Sequence, residues 1–100
     1  MLAHNVFFTL HEPGEAAAQL LVAQCEKYLK NHPGVVFFAA GTLEPELARP
    51  VNDRDFDVAL HVIFDTRAAH DAYQIAEAHQ RFIEENKATW KKVRVFDSIC

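Results

Sequence analysis

The sequence predicts one α+β domain, in which helices cover one face of a four-stranded antiparallel sheet and the elements follow the order β-α-β-β-α-β. Alternating or unbroken apolar runs, which are typical of strands, occupy residues 3–10, 35–40, 55–64 and 92–99. Segments with the helical spacing of apolar residues lie between the first and second strands and between the third and fourth strands. The chain of 100 residues is long enough for one core, so we assign residues 1–100 to a single domain.

The first strand is predicted by strict alternation, with His4, Val6 and Phe8 on one face and Asn5 and Phe7 on the other. A His-Glu-Pro-Gly sequence ends it, and a helix is expected over residues 14–31 before the Pro33-Gly34 stop signal. The predicted apolar stripe of this helix consists of Ala17, Leu20, Leu21, Cys25 and Tyr28.

The second strand, VVFFAA, has no polar alternation and must therefore be covered on both faces. A polar stretch with two prolines, residues 44–54, predicts a loop before the third strand. Asp65-Thr66 provides the N-cap of a second helix, which begins near Arg67 and is expected to restart around residues 86–91. The alternating KVRVFDSI segment closes the sheet.

The apolar character of both sheet faces predicts a homodimer. Right-handed crossovers place both helices on the same side of the sheet, and the other face keeps apolar residues such as Phe7, Ala59 and Ile63. A patch of this kind is uncommon on a soluble monomer. A second copy that packs sheet against sheet about a two-fold axis would bury it.

The composition excludes several classes of function. The formal net charge is -4, which argues against binding to nucleic acid or to an anionic membrane. We expect a cytoplasmic protein, since no secretory signal or membrane span is recognisable. No histidines are spaced as HxH or HxxxH, and His61 and His70 are expected to face the dimer side and solvent, so no metal site is predicted. No cofactor is expected, because glycine-rich phosphate loops are absent.

Several segments in order resemble the stress-responsive A/B barrel (Dabb) family: a strand that begins with a histidine, then DFDVALHVIF, AYQIAEAHQRF and VRVFD. The resemblance implies a ferredoxin-like sheet that forms a dimeric α+β barrel. A plant cyclase of this family closes a linear polyketide by aldol chemistry. By similarity, the catalytic residues would be Tyr73, His79 and His4, and the wall of a ligand pocket would comprise Val6, Phe8, Leu60, Phe82, Trp90, Val93 and Val95.

The chain departs from the family pattern at positions 76 and 77, where Ala76 and Glu77 replace a common His-Pro pair. Residues six apart on a straight helix differ by about 120° around the axis. Tyr73 and His79 can therefore share a pocket only if the helix breaks between Ile75 and His79, and tertiary packing must supply that break where proline is missing.

Three functions remain open at this point. The leading prediction is a dimer that binds a small aromatic or polyketide-like molecule and acts as a cofactor-free cyclase or isomerase, with His79 as base and Tyr73 beside the oxyanion. The second is a cofactor-independent monooxygenase, as in related dimeric barrels. The third is a stress-associated protein without enzymatic activity, in which Tyr73 and Trp90 are core aromatics.

Overall fold

The computed structural model describes residues 1–100 and confirms the predicted class and element order, with the second helix divided in two. All strand pairs are antiparallel, and the strands lie in the order β2-β3-β1-β4. The elements are β1 (Leu2–Leu10), α1 (Glu15–Leu29), β2 (Val35–Thr42), β3 (Val58–Phe64), α2 (Arg67–Ile75), α3 (Glu77–Asn86), a 3-10 turn (Lys87–Thr89) and β4 (Trp90–Ile99).

The core lies between the sheet and the helices. Alternate residues of the central strands, among them Val6 and Phe8 on β1 and Leu60 and Val62 on β3, are buried against α1, α2 and α3. Their neighbours in sequence point to the other face of the sheet, as the two-residue period of a strand requires. The alternation in the sequence therefore predicted which side of these strands is covered.

The predicted apolar stripe of α1 is wrong at one position. Leu20 is 64% exposed, whereas the buried residues of this helix are Ala18, Leu21, Cys25 and Leu29. Their spacing of three, four and four residues keeps them on one face of a helix, and Leu20 is turned about 100° from Leu21. The alanine-rich first turn allows either orientation, and the sheet selects the one that buries Leu29.

Strand β3 begins at Val58 and not at residue 55, because the preceding aspartates bond to other elements. The Asp57 carboxylate accepts a hydrogen bond from the Leu10 N–H (2.8 Å), and the Asp57 N–H donates to the Phe8 carbonyl (2.7 Å). Asp55 forms an ion pair with Lys92. The helical restart predicted at residues 86–91 is only the three-residue 3-10 turn, after which β4 starts at Trp90.

The sheet face opposite the helices is apolar and only partly covered. Phe37 on β2 and Phe96 on β4 are about half exposed there, and the Phe7 ring lies 5.8 Å from that of Phe96. The loop before β3 covers the β4 side of this face, because Arg94 donates to the Asp53 carboxylate (2.9 Å) and to the Asp55 carbonyl (3.0 Å). None of the helices has the length and apolar composition needed to cross a bilayer.

The turn between α1 and β2 requires a glycine. Gly34 has φ +86°, and a Cβ at this position would lie 2.4 Å from the Cβ of Ala69 and 2.7 Å from a carboxylate oxygen of Asp65. The Gly34 carbonyl also accepts a hydrogen bond from the Asp65 N–H (2.8 Å). This contact fixes the start of α2 against the start of β2.

Candidate functional site

A break in the helical layer brings Tyr73 and His79 together. Ala76 separates α2 from α3 with an extended backbone (φ −64°, ψ 145°), and its N–H donates to the Tyr73 carbonyl (3.2 Å). Its own carbonyl accepts from the Gln80 N–H (3.1 Å), which starts the next helix. The Tyr73 and His79 rings consequently meet edge to face with centroids 4.8 Å apart. The chain achieves this break without a proline.

A cavity of about 370 Å³ lies between the α2–α3 layer and strands β1 and β4. Its apolar wall includes six of the seven residues predicted for a pocket: Val6, Phe8, Phe82, Trp90, Val93 and Val95. Leu60, the seventh, is buried beneath the helices on β3 and does not line the cavity. The polar end of the cavity is formed by His4, His70, His79 and Asp97.

Three aromatic rings packed at tilted and edge-to-face angles form the apolar end of the cavity. Phe8 and Trp90 have centroids 5.0 Å apart, and Phe82 lies 5.6 Å from Trp90. The Trp90 indole N–H is buried and has no hydrogen-bond partner within the protein. Flat aromatic walls of this kind suit a planar or apolar ligand.

Tyr73 lies behind His79 and does not line the cavity. Its side chain is 2% exposed, its ring contacts Phe64 and His32 (5.0 Å each), and its hydroxyl has no hydrogen-bond partner. Burial raises the pKa of this phenol well above its usual range, with a smaller contribution from Cys25. The hydroxyl is therefore protonated at neutral pH and can donate a hydrogen bond.

His79 lines the cavity as a neutral imidazole. Its pKa is lowered to about 4, chiefly by burial and to a smaller extent by the nearby His4, His32 and His70. Its Nδ1 is buried without a partner, whereas Nε2 makes no hydrogen bond and is not fully buried. A ligand in the cavity can approach this second nitrogen.

His4 and Asp97 are paired across neighbouring strands. They are register partners of β1 and β4, and His4 Nδ1 lies 2.5 Å from a carboxylate oxygen of Asp97. His4 is buried, whereas the side chain of Asp97 is 44% exposed. A carboxylate at Nδ1 fixes the ring orientation and leaves Nε2 with its lone pair.

His70 is a site residue that the sequence analysis missed, and its predicted exposure to solvent is wrong. Its side chain is only 14% exposed, and its ring lies 5.1 Å from that of His4. His70 Nδ1 bonds to the Asp71 carboxylate at 3.0 Å, and Nε2 lies 3.3 Å from the Gln74 amide nitrogen. His4, His70 and Asp97 offer ligand atoms within 4.8 Å of one another, a set able to hold a transition-metal ion.

A second cavity, of about 400 Å³, lies between α1 and the 3-10 turn. It is slightly larger than the first, but its only ionisable side chains are His11 and Glu12. The first cavity gathers three imidazoles and a carboxylate against an aromatic wall, and we therefore regard it as the candidate site.

The sequence profile of the Stress responsive A/B Barrel Domain (Dabb) matches residues 2–100. The chain belongs to this family. No curated protein sequence matches the chain. The Dabb assignment agrees with the strand order and with the placement of the helices on one face.

Solved structures resemble this Dabb chain over nearly its full length. A Dabb family protein with a ferredoxin-like fold from Mesorhizobium loti is 20% identical, with a TM-score of 0.79, and the alignment covers 99% of this chain and 95% of that one. A dimeric ferredoxin-like protein of unknown function from Thermobifida fusca is 16% identical (TM-score 0.80; 99% and 90% covered). A hydroxynitrile lyase from Passiflora edulis is 20% identical (TM-score 0.76; 99% and 92% covered). These likenesses establish the ferredoxin-like fold.

Proposed function

We propose that this Dabb domain binds an aromatic or polyketide-like molecule in the cavity between α2–α3 and the sheet, and that it catalyses a cofactor-free cyclisation or isomerisation. The observation that carries the proposal is the cavity itself, with an aromatic wall at one end and imidazoles at the other. Its volume of about 370 Å³ is within the usual range for small-molecule sites. The hydroxynitrile lyase with the same fold supports the view that the fold can house an enzyme.

His79 is the proposed general base. Its imidazole is neutral at physiological pH, and its accessible nitrogen can take a proton from a carbon next to a carbonyl. The electron pair of the broken C–H bond then moves to form an enolate, whose carbon attacks a second carbonyl of the same molecule. The proton on His79 returns to the new alkoxide, so that the base is regenerated.

Tyr73 is the proposed donor to the enolate oxygen. Its buried hydroxyl is protonated and unpaired, and an unpaired buried hydroxyl costs roughly 1–3 kcal/mol. A substrate oxygen that reaches this hydroxyl beside the His79 ring would give it a partner. His4, held by Asp97, is proposed to contact a second substrate oxygen at the polar end of the cavity.

The proposal also includes a homodimer formed through the open sheet face. Phe37 and Phe96 are about half exposed on that face, and sheet-to-sheet packing would remove them from water. The Thermobifida fusca protein of the same fold is described as dimeric. Sedimentation at micromolar protein concentration tests this part, since a monomeric mass would contradict it.

Turnover of a linear polyketide thioester, followed by mass spectrometry, tests the chemistry. His79→Ala should abolish ring closure while the dimer mass and melting temperature stay unchanged, and His11→Ala, on an exposed loop, should keep full turnover. Unchanged turnover in His79→Ala would refute the proposed base. Oxygen uptake with an anthrone in place of ring closure would indicate the monooxygenase, and absence of any thermal shift by such ligands would favour a protein without enzymatic activity.

A further inference from the structure

We propose that His4, His70 and Asp97 bind a divalent transition-metal ion, such as Zn²⁺, at the polar end of the cavity. The three residues come from β1, α2 and β4, and they present ligand atoms within 4.8 Å of one another. Two imidazoles and one carboxylate form a donor set that Zn²⁺ and related ions prefer. The inference shares His4 with the proposed reaction, but the proposed base His79 is not among the ligands, and metal binding is tested without substrate.

The hydrogen bonds of the two histidines indicate which ring nitrogen of each would bind the metal. Asp97 lies at Nδ1 of His4 and Asp71 lies at Nδ1 of His70, so each ring has a carboxylate at the same nitrogen. Asp71 is outside the ligand set, so a proton held at Nδ1 of His70 leaves the lone pair on Nε2 for the ion. Metal-binding histidines almost always donate their other N–H to a carboxylate, carbonyl or water in this way. The Gln74 amide nitrogen next to His70 Nε2 (3.3 Å) is consistent with a lone pair at that atom. Asp97 is itself a ligand, so His4 would bind the same ion through Nδ1.

The distances require only a modest contraction. Zn–N and Zn–O bonds of about 2.0–2.2 Å place the ligand atoms of a tetrahedral site roughly 3.3 Å apart, compared with separations of up to 4.8 Å here. Asp97 can supply this movement, since its side chain is 44% exposed and its second carboxylate oxygen makes no hydrogen bond. At His4 the ion would take the place of the proton between Nδ1 and the Asp97 carboxylate, so that His4 binds it through Nδ1 and keeps its own proton on Nε2.

The position of the three residues defines what the ion would do. Sites with three protein ligands keep a coordination position for water or for an oxygen of a bound molecule. The three ligands line the same cavity as the aromatic wall, so that this position would face a ligand in the cavity. His79 would remain a free imidazole beside it.

Metal titrations without any substrate test the site. The sample is the purified 100-residue chain without a histidine tag. Co²⁺ serves as the spectroscopic probe, and Zn²⁺ binding is measured by calorimetry. One ion per chain should bind, with the visible spectrum of four- or five-coordinate Co²⁺. His70→Ala should weaken Zn²⁺ binding by about 100-fold or more, and Asp71→Asn, which only alters the support of His70, by about 10–100-fold.

Two variants serve as controls. His11→Ala removes an exposed histidine, and His79→Ala removes a cavity histidine outside the ligand set, so both should bind Zn²⁺ as the wild type does. Asp97→Asn tests the β1–β4 side of the site. It keeps the size of the side chain and leaves the buried His4 in place, so the fold should be retained. Absence of a Co²⁺ spectrum with the metal in excess would overturn the proposal. Tight binding that survives both His70→Ala and Asp97→Asn would overturn it as well.

Discussion

The rings of Tyr73 and His79 contact each other edge to face, with centroids 4.8 Å apart, although six positions separate the residues. On a continuous helix they would point about 120° apart. The extended backbone of Ala76 removes this difference, because it ends α2 and lets α3 start in a new direction. The backbone at one alanine therefore decides whether the cavity includes His79.

Proline substitutions on either side of the break should have opposite effects. Glu77 is the first residue of α3 and follows an extended residue, which is a favourable place for proline. Glu77→Pro should raise the free energy of unfolding by about 0.5–1 kcal/mol, because the exposed Glu77–Arg81 pair that it removes contributes little. Ala76→Pro removes the bond to the Tyr73 carbonyl and forces Ile75 out of the helix, at a cost of about 3 kcal/mol. Urea denaturation measures the free energy of unfolding of both variants. Equal effects of the two prolines would contradict a helix break at Ala76.

Tyr73→Phe separates the packing of the ring from the hydroxyl. Removing a buried hydroxyl without a partner should leave the free energy of unfolding unchanged or raise it by about 1 kcal/mol. If the hydroxyl stabilises the enolate as proposed, kcat should fall by about 100-fold in the same variant. Tyr28→Phe is the matched control, since the Tyr28 hydroxyl donates to Glu85 at the surface. Full activity in Tyr73→Phe would leave Tyr73 as a core residue only.

Acid should destabilise the fold through His79. The unfolded chain binds a proton at this residue near pH 6.5 and the folded chain only near pH 4, so the unfolded state binds more protons between these values. The stabilisation is complete above pH 6.5 and is lost as the pH falls toward 4, by about 1–2 kcal/mol after allowance for partial exposure. The imidazoles of His4 on β1, His32 before β2 and His70 on α2 surround it. The wild type should lose more stability than His79→Gln over this window.

The same pKa predicts the pH dependence of the proposed reaction. A base with a pKa of about 4 stays neutral through the physiological range, and the rate should fall only near pH 4. A fall in rate well above pH 4 would indicate that His79 is not the base.

Gly34→Ala should lower the free energy of unfolding by about 2 kcal/mol or more. The backbone of the new alanine would have to keep φ +86°, and its Cβ would clash with Ala69 and Asp65. These contacts hold the start of α2 against the start of β2. Gly41→Ala is the control, because a Cβ at that position meets nothing within 4 Å. Thermal unfolding should show a large loss for the first variant and almost none for the second.

Charge on the open sheet face should prevent the proposed dimer. Phe37→Glu places a carboxylate on that face and should give a monomer by sedimentation. Leu20→Glu makes the same kind of change at a 64% exposed position on α1, away from the face, and should leave the mass unchanged. A dimer that tolerates Phe37→Glu would place the interface elsewhere.

The sequence predicted the strands and the covered face well, because alternation such as that of His4, Val6 and Phe8 reports burial directly. It predicted the position of Leu20 wrongly, because both orientations of α1 satisfy helical spacing and only the sheet decides between them. His70 and Asp97 could not be found from spacing, since the β1–β4 register and the start of α2 bring residues 4, 70 and 97 together. That register sets position 4 opposite position 97, and local patterns carry no information about it.

The division at Ala76 leaves the cavity with walls of unequal rigidity. Helices of nine and ten residues are marginal by themselves, whereas β1 is bonded to strands on both sides. Amide hydrogens of α2 and α3 should therefore exchange with solvent much faster than those of β1 and β3. The helical wall should therefore adjust to a bound ligand more readily than the floor of the cavity, which the sheet holds in place.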